Sequence, residues 1–189
     1  MTVNFVEAVA ALLGLINIVL VVRRSVWNYP FGLAMVALYG WLFAQPGVRL
    51  YSDAGLQVFF FVVQLYGWRN WARSEAQSGE VVVLRLSTRV RSAVVAGVAA
   101  ATLGWGTLMH RFTDAALPWW DAFIAMASVA AQLLMARRFL ENWYLWIVVD
   151  VVAIGVYAAK DLMITAILYL AFLLLAAFGL HSWRQALPR

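Results

Sequence analysis

The residues best placed to do chemistry stand at steps of three and four in a strongly apolar chain. Asn142, Trp146 and Asp150 recur every fourth residue and so share one face of a helix. Trp143 precedes Trp146 by three, near enough for the two rings to flank one ligand. The stripe joins an amide, two large aromatic faces and a carboxylate. Stacking and cation–π attraction suit a planar, cationic ring, and amides suit its polar appendages. Upstream, Asp53 and Gln57 are four apart, with Gln64 seven further on, and Ser128 and Gln132 are again four apart.

Each of these has a structural alternative. Either Trp ring could belong to an interfacial belt. Gln57 and Gln132 could bond between helices, Asp53 could cap a helix start, and Asp150 could be paired structurally. Asn28-Tyr29-Pro30-Phe31-Gly32 puts Pro and Gly in the first turns of a helix. Pro is tolerated there, and the same residues would serve as flexible points for gating.

Several chemistries are excluded or disfavoured. No cysteine is present, so thiol catalysis and thiolate metal sites fall away. His110 and His181 are far apart without further ligands at metal spacing. No P-loop signature is present, so this chain does not use ATP, and no cofactor is expected. The net charge of +5 invites a nucleic-acid reading, but the basic residues stand at the ends of apolar runs. That is a topology signal rather than a phosphate-binding patch.

The elements that must position the stripe are membrane helices. Of the 189 residues 65% are hydrophobic and 12% charged, about half the charge of a soluble domain, with mean hydropathy +0.83. Apolar runs cover 5–22, 27–44, 54–71, 93–109, 119–136, 143–158 and 162–180, which predicts seven spans in a lipid bilayer. The first run lacks a basic leader and is followed by Arg23-Arg24 rather than a small-residue cleavage site. It is therefore read as a mature helix. Seven spans place Arg23, Arg24, Arg69, Arg73, Arg85, Arg89, Arg91, Arg137, Arg138, Arg184 and Arg189 on one side. Arg49, Arg111 and Lys160 fall on the other. The richer side is cytoplasmic, so the N-terminus is outside and the C-terminus cytoplasmic. Residues 72–92 form the long polar cytoplasmic connection.

Self-similarity organises the chain further. At a spacing of about 114 residues Glu7 meets Asp121, Arg23-Arg24 meets Arg137-Arg138, and Trp27-Asn28-Tyr29 meets Glu141-Asn142-Trp143. At about 112, Ala54 meets Ala166, Phe60 meets Phe172, Gly67 meets Gly179 and Trp71 meets Trp183. The chain then divides into a three-helix repeat at 1–72, a linker with a connecting helix at 73–118, and a second repeat at 119–189. Three helices plus one is even, so the repeats insert in parallel, as in SWEET-type transporters with a site near the midplane between repeats. The expected motion is a rocking of the two repeats.

In order along the chain, Asn28 to Gly32, Leu50-Tyr51-Ser52-Asp53-Ala54-Gly55-Leu56-Gln57, Tyr66-Gly67-Trp68-Arg69-Asn70-Trp71, Ala131-Gln132, Glu141 to Trp146 with Asp150, and Gly179 to Trp183 resemble the PnuC family of vitamin transporters. The likeness covers nearly the whole chain and is weakest over 72–118. It implies a bacterial inner-membrane carrier of nicotinamide riboside, a precursor of NAD, working by facilitated diffusion. A cytoplasmic kinase would trap the substrate as its phosphorylation partner. Substrate contacts would fall on Gln57, Gln132, Asn142 and Trp146, with Trp143 and Tyr169 beside them. Tyr169 is also the repeat counterpart of Gln57. Related branches are similar to carriers of thiamine, riboflavin or deoxynucleosides.

Other functional classes make different demands on these residues. Asp150 or Asp53 could carry a proton in coupled transport. An intramembrane aspartyl protease built on Asp53 and Asp150 would show Gly-x-Gly-Asp and Tyr-Asp patterns, which are absent; no enzyme is expected. A ligand-free scaffold would explain neither the repeat nor the stripe. A homo-oligomer is left open.

Overall fold

The computed structural model describes residues 3–45, 51–113 and 117–188. Among them seven helices follow in order: α1 Val3–Val22, α2 Asn28–Phe43, α3 Tyr51–Ser78, α4 Thr88–Phe112, α5 Pro118–Ala136, α6 Asn142–Ala159 and α7 Met163–Gln185. Apolar sequence forces this class. In hydrocarbon every backbone N–H and C=O must bond within its own segment, which a helix does. Five of the helices (α1, α4, α5, α6 and α7) are long and apolar enough to cross a bilayer. With 16 residues α2 reaches about 24 Å, short of the roughly 30 Å hydrocarbon core. The 28 residues of α3 end in a charged stretch holding Arg69, Arg73 and Glu75.

The chain packs as two compact units, Met1–Val82 with Ala136–Arg138 and Ala186–Arg189, and Val83–Met135 with Phe139–Gln185. In the first, α2 packs against both α1 and α3. Asn17, from α1, donates through Nδ2 to the Asn28 carbonyl at 2.7 Å. A Cβ at Gly32 would stand 2.7 Å from that Nδ2 and would collide with the amide of buried Gln64. Gly32 is thus small because two amides converge on it. Further along, Tyr29 meets Trp71 edge-on at 5.4 Å and 88°, over Gly67.

The second unit repeats that last motif. Trp143 meets Trp183 edge-on at 5.5 Å and 89°, over Gly179, where α6 packs on α7. Val98 of α4, Ala127 of α5 and Val149 of α6 form a buried cluster, with Trp146 and Phe123 packed on it. Lys160, after α6, holds Asp121 of α5 through both carboxylate oxygens at 2.8 and 2.9 Å.

The turns before α2 and α6 also match. Ser25 N–H donates to Leu20 O at 2.9 Å and Phe139 N–H to Leu134 O at 3.0 Å. Asn28 Nδ2 reaches Ser25 O at 2.7 Å, and Asn142 Nδ2 reaches Phe139 O at 2.6 Å. Arg24 and Arg138 take φ of 57° and 64°.

The expected polar connection over 72–92 differs in form. Helix α3 continues to Ser78, because Ala, Arg, Glu and Gln favour helix and need no apolar partner once outside hydrocarbon. Residues 79–87 then run without helix, with Val81 and Val83 alternately buried at 2% and 1%. Ser74 Oγ donates to Glu80 O at 3.3 Å and accepts Val82 N–H at 3.0 Å. In the second unit Leu140 N–H donates to Leu84 O at 2.9 Å.

Candidate functional site

Helix α6 presents the polar stripe, and the turn before it fixes where the stripe begins. The Asn142 amide nitrogen closes that turn on Phe139 O, which leaves Oδ1 facing the other way. Asn142 has no exposed surface, and its Oδ1 has no hydrogen-bond partner among the described residues. The indole N–H groups of Trp143 and Trp146 are likewise buried and unpartnered among the described residues. Buried polar atoms are nearly always bonded, so an acceptor and two donors left open within five residues call for an explanation. Asp150, two turns beyond Asn142, is 3% exposed and has no ion-pair partner among the described residues.

The two tryptophans meet different neighbours. Trp143 is fully buried against Trp183 and Gly179 of α7, whereas Trp146 lies on the cluster shared by α4, α5 and α6. Trp143 fills the slot that Tyr29 fills in the first unit. Its packing is that of an anchor for the start of α6.

Tyr169 of α7 stacks on Tyr157 of α6 at 5.2 Å and 24°, and its ring edge meets Phe172 at 5.8 Å. Tyr157 and the Asp150 carboxylate both lie within electrostatic reach of Tyr169. Tyr157 was missed by the sequence reading. Its signal is the seven-residue step from Asp150, which returns it to the same helix face. Gln132 of α5 is half-buried, with no hydrogen bond among the described residues.

The second unit therefore holds Gln132, Asn142, Trp143, Trp146, Asp150 and Tyr169. The first holds Gln57, Asn28, Pro30 and Gly32. Gln57 is half-buried where α3 comes close to α2, its Cβ 3.4 Å from the position a Cβ on Gly40 would take. Asn28 is buried within the turn described above, and Pro30 lies in the first turn of an unbroken α2. The Asp53 side chain lies outside the described residues.

Comparison with known proteins agrees with this architecture. The family model described as nicotinamide mononucleotide transporter matches residues 4–185. The chain is similar to the nicotinamide riboside transporter PnuC of Escherichia coli, 30% identical over 95% of this chain and 85% of that one. It is also similar to the riboflavin/roseoflavin transporter RibM of Streptomyces davaonensis, 30% identical over 94% and 83%. A crystal structure of the vitamin B3 transporter PnuC superposes with a TM-score of 0.75 at 27% identity, covering 97% of this chain and 82% of that one. Seven helices, most of them apolar enough to span, and a match over nearly the whole length carry one conclusion: the chain belongs to the nicotinamide mononucleotide transporter family of multi-pass membrane proteins.

Proposed function

We propose that this protein carries nicotinamide riboside across the bacterial inner membrane by facilitated diffusion, with a cytoplasmic kinase trapping the product for NAD synthesis. The observation that carries the reading is the open polar set on α6: one amide oxygen and two indole N–H groups, buried without partners among the described residues, on the same helix as the Asp150 carboxylate. A cationic pyridinium with a carboxamide and a ribose matches it. The carboxamide NH2 donates to Asn142 Oδ1, a ribose oxygen accepts from the Trp146 indole N–H, and Trp146 and Asp150 attract the positive ring. Gln57, Gln132 and Tyr169 supply further polar contacts.

The riboside fits better than the mononucleotide. A phosphate needs cations, and α5, α6 and α7 carry no Lys or Arg before Arg184. Seven spans in a 3+1+3 order, with parallel repeats at 1–72 and 119–189, an outside N-terminus and a cytoplasmic C-terminus, complete the reading. The matched turns and edge-on ring pairs about 114 and 112 residues apart support the repeats. Passive carriage requires only a site that opens alternately to each side.

The test is calorimetric titration of the purified protein with nicotinamide riboside, its mononucleotide, thiamine and riboflavin, alongside Trp146→Ala and Gln57→Ala. Saturable binding of the riboside, weakened in both variants, is expected. A second reading, a flavin substrate, rests on the RibM relative, which matches at the same identity as PnuC of Escherichia coli. Riboflavin binding without riboside binding would establish it and overturn the first.

A further inference from the structure

Beside the start of α4 the second unit contains a cavity of about 310 Å³. Its lining is of two kinds. Arg85, Arg91 and Tyr144 provide a polar edge, while Val94, Val95 and Leu145 form an apolar wall. The acid in the lining, Glu141, is already committed. Its Oε1 accepts from Arg91 Nη2 at 2.8 Å and Nε at 2.9 Å, and its Oε2 accepts Leu86 N–H at 3.1 Å. Those bonds use two of the five guanidinium donors of Arg91, whose side chain is 42% exposed. Arg85 is exposed and makes no hydrogen bond or ion pair among the described residues. A third guanidinium, Arg184, donates to the Tyr144 hydroxyl at 2.6 Å and lies 5.6 Å from that ring's centroid. Three guanidinium groups against one carboxylate leave the rim at about +2.

That excess of positive charge suits an anion, and the apolar wall says what the anion carries. Helix α4 is hardly buried along its span, and Val95 is 64% exposed. In a bilayer this surface faces acyl chains. A free phosphate would satisfy the arginines and leave the valines uncovered.

We propose that the cavity binds the phosphodiester headgroup of an anionic phospholipid, held by Arg85 and Arg91, with an acyl chain along Val94, Val95 and Leu145. Basic pockets of this kind at the charged ends of spans suit anionic lipids. A zwitterionic headgroup brings its own ammonium to an already positive rim and binds less well. The inference rests on α4 being a membrane span and is independent of the substrate carried.

The experiment is native mass spectrometry of the intact protein in detergent, titrated with phosphatidylglycerol, phosphatidylcholine or glycerol 3-phosphate. Arg85→Gln is compared with Arg89→Gln, since Arg89 is an exposed charge at the same helix end and does not line the cavity. Retention of one phosphatidylglycerol in preference to phosphatidylcholine is expected. Arg85→Gln should lower that retention about fivefold, the equivalent of ~1 kcal/mol for one basic side chain beside an anionic lipid. Arg89→Gln should leave it within about twofold, and Val95→Ser should weaken lipid retention while leaving glycerol 3-phosphate unaffected. Equal retention of both lipids, or equal losses in the two arginine variants, would mean diffuse interfacial attraction and overturn the site. Glycerol 3-phosphate binding as tightly as phosphatidylglycerol would overturn the lipid assignment in favour of a soluble phosphate.

Discussion

Two glycines offer a matched pair of perturbations with different functional outcomes. A Cβ at Gly179 would stand 2.6 Å from Trp143 Cε2 and closer still to two further indole atoms. That is about 0.8 Å inside the 3.4 Å at which ordinary contact begins. The ring cannot retreat easily, since it is fully buried and pinned edge-on by Trp183. Gly67 stands in the same relation to Tyr29, whose hydroxyl lies 2.6 Å from the missing Cβ and whose ring is pinned by Trp71. Overpacking of this kind costs about 1–3 kcal/mol. Gly67→Ala and Gly179→Ala should therefore lower thermal stability in detergent by similar amounts. Only Gly179→Ala displaces the first turn of α6, where Asn142 and Trp146 stand. If riboside binding needs the native turn, the strain that the free protein escapes by displacing that turn reappears in affinity, a loss of up to about 150-fold at 3 kcal/mol. Calorimetry on folded protein measures this directly. Affinity within twofold of wild type in Gly179→Ala, with melting lowered as in Gly67→Ala, would refute the placement of the site on α6.

Three further outcomes are expected. Asn142→Ala should weaken riboside binding about 5- to 10-fold by removing the open acceptor, whereas Asn28→Ala, which loses the same turn bond, should alter melting alone; calorimetry beside a melting curve separates the two. In vesicles without the kinase, uptake should equilibrate and ignore an imposed pH gradient in both wild type and Asp150→Asn; gradient-driven accumulation that Asp150→Asn abolishes would establish proton coupling instead. Glu141→Ala should destabilise by about 1–3 kcal/mol because Leu86 N–H loses its acceptor, and Glu141→Gln by less, read as melting shifts with transport assayed on the surviving folded fraction.

Much of the fold was legible because lipid narrows the options. Apolar runs of membrane length can only be helices, and each expected span coincides with a helix, the larger differences being at the end of α3, the start of α4 and the end of α7. Those ends were misjudged because hydropathy marks where hydrocarbon stops, and a helix need not stop there. The buried valines at 81 and 83 were hidden inside a stretch polar on average.

At the site, spacing found the stripe but not what each side chain faces. Trp143 and Trp146 looked like two walls of one slot, yet one is committed to α7 and the other to the α4–α5 cluster. The repeat offset separates such roles better than spacing does. Asn28 and Asn142 share their turn bond, Tyr29 and Trp143 their edge-on ring pair, and Gly67 and Gly179 the ring packed over them, as shared scaffold should. Trp146 instead stands 114 residues after Gly32, and Asp150 114 residues after Val36. At Gly32 the space is filled by the amides of Asn17 and Gln64; their counterparts, Ala131 and Ala176, are small and fully buried. The second half has exchanged a closed amide pair for a large indole. That exchange is what a binding role for Trp146 would require.

The paired arginines carry a similar lesson about orientation. A charge tally treats Arg23, Arg24, Arg137 and Arg138 alike, but their backbones are not alike. Arg24 and Arg138 take positive φ, which costs a residue with a Cβ about 1–2 kcal/mol. Glycine would avoid that cost and lose the side chain. Arg24 donates to Glu80 at 3.0 Å and to Val81 O at 3.3 Å, while Arg138 approaches Val82 O at 3.4 Å. Burial draws the Arg138 guanidinium below its ordinary pKa, opposed by Tyr29 and Tyr66, and it stays charged. These two arginines hold the segment after α3, a role that a charge tally does not register. Arg23 and Arg137 are exposed, with no partner among the described residues. An orientation signal that is purely electrostatic must reside in residues of that second kind. Charge removal at Arg23 and Arg137 therefore probes topology alone, whereas the same change at Arg24 or Arg138 would confound topology with folding.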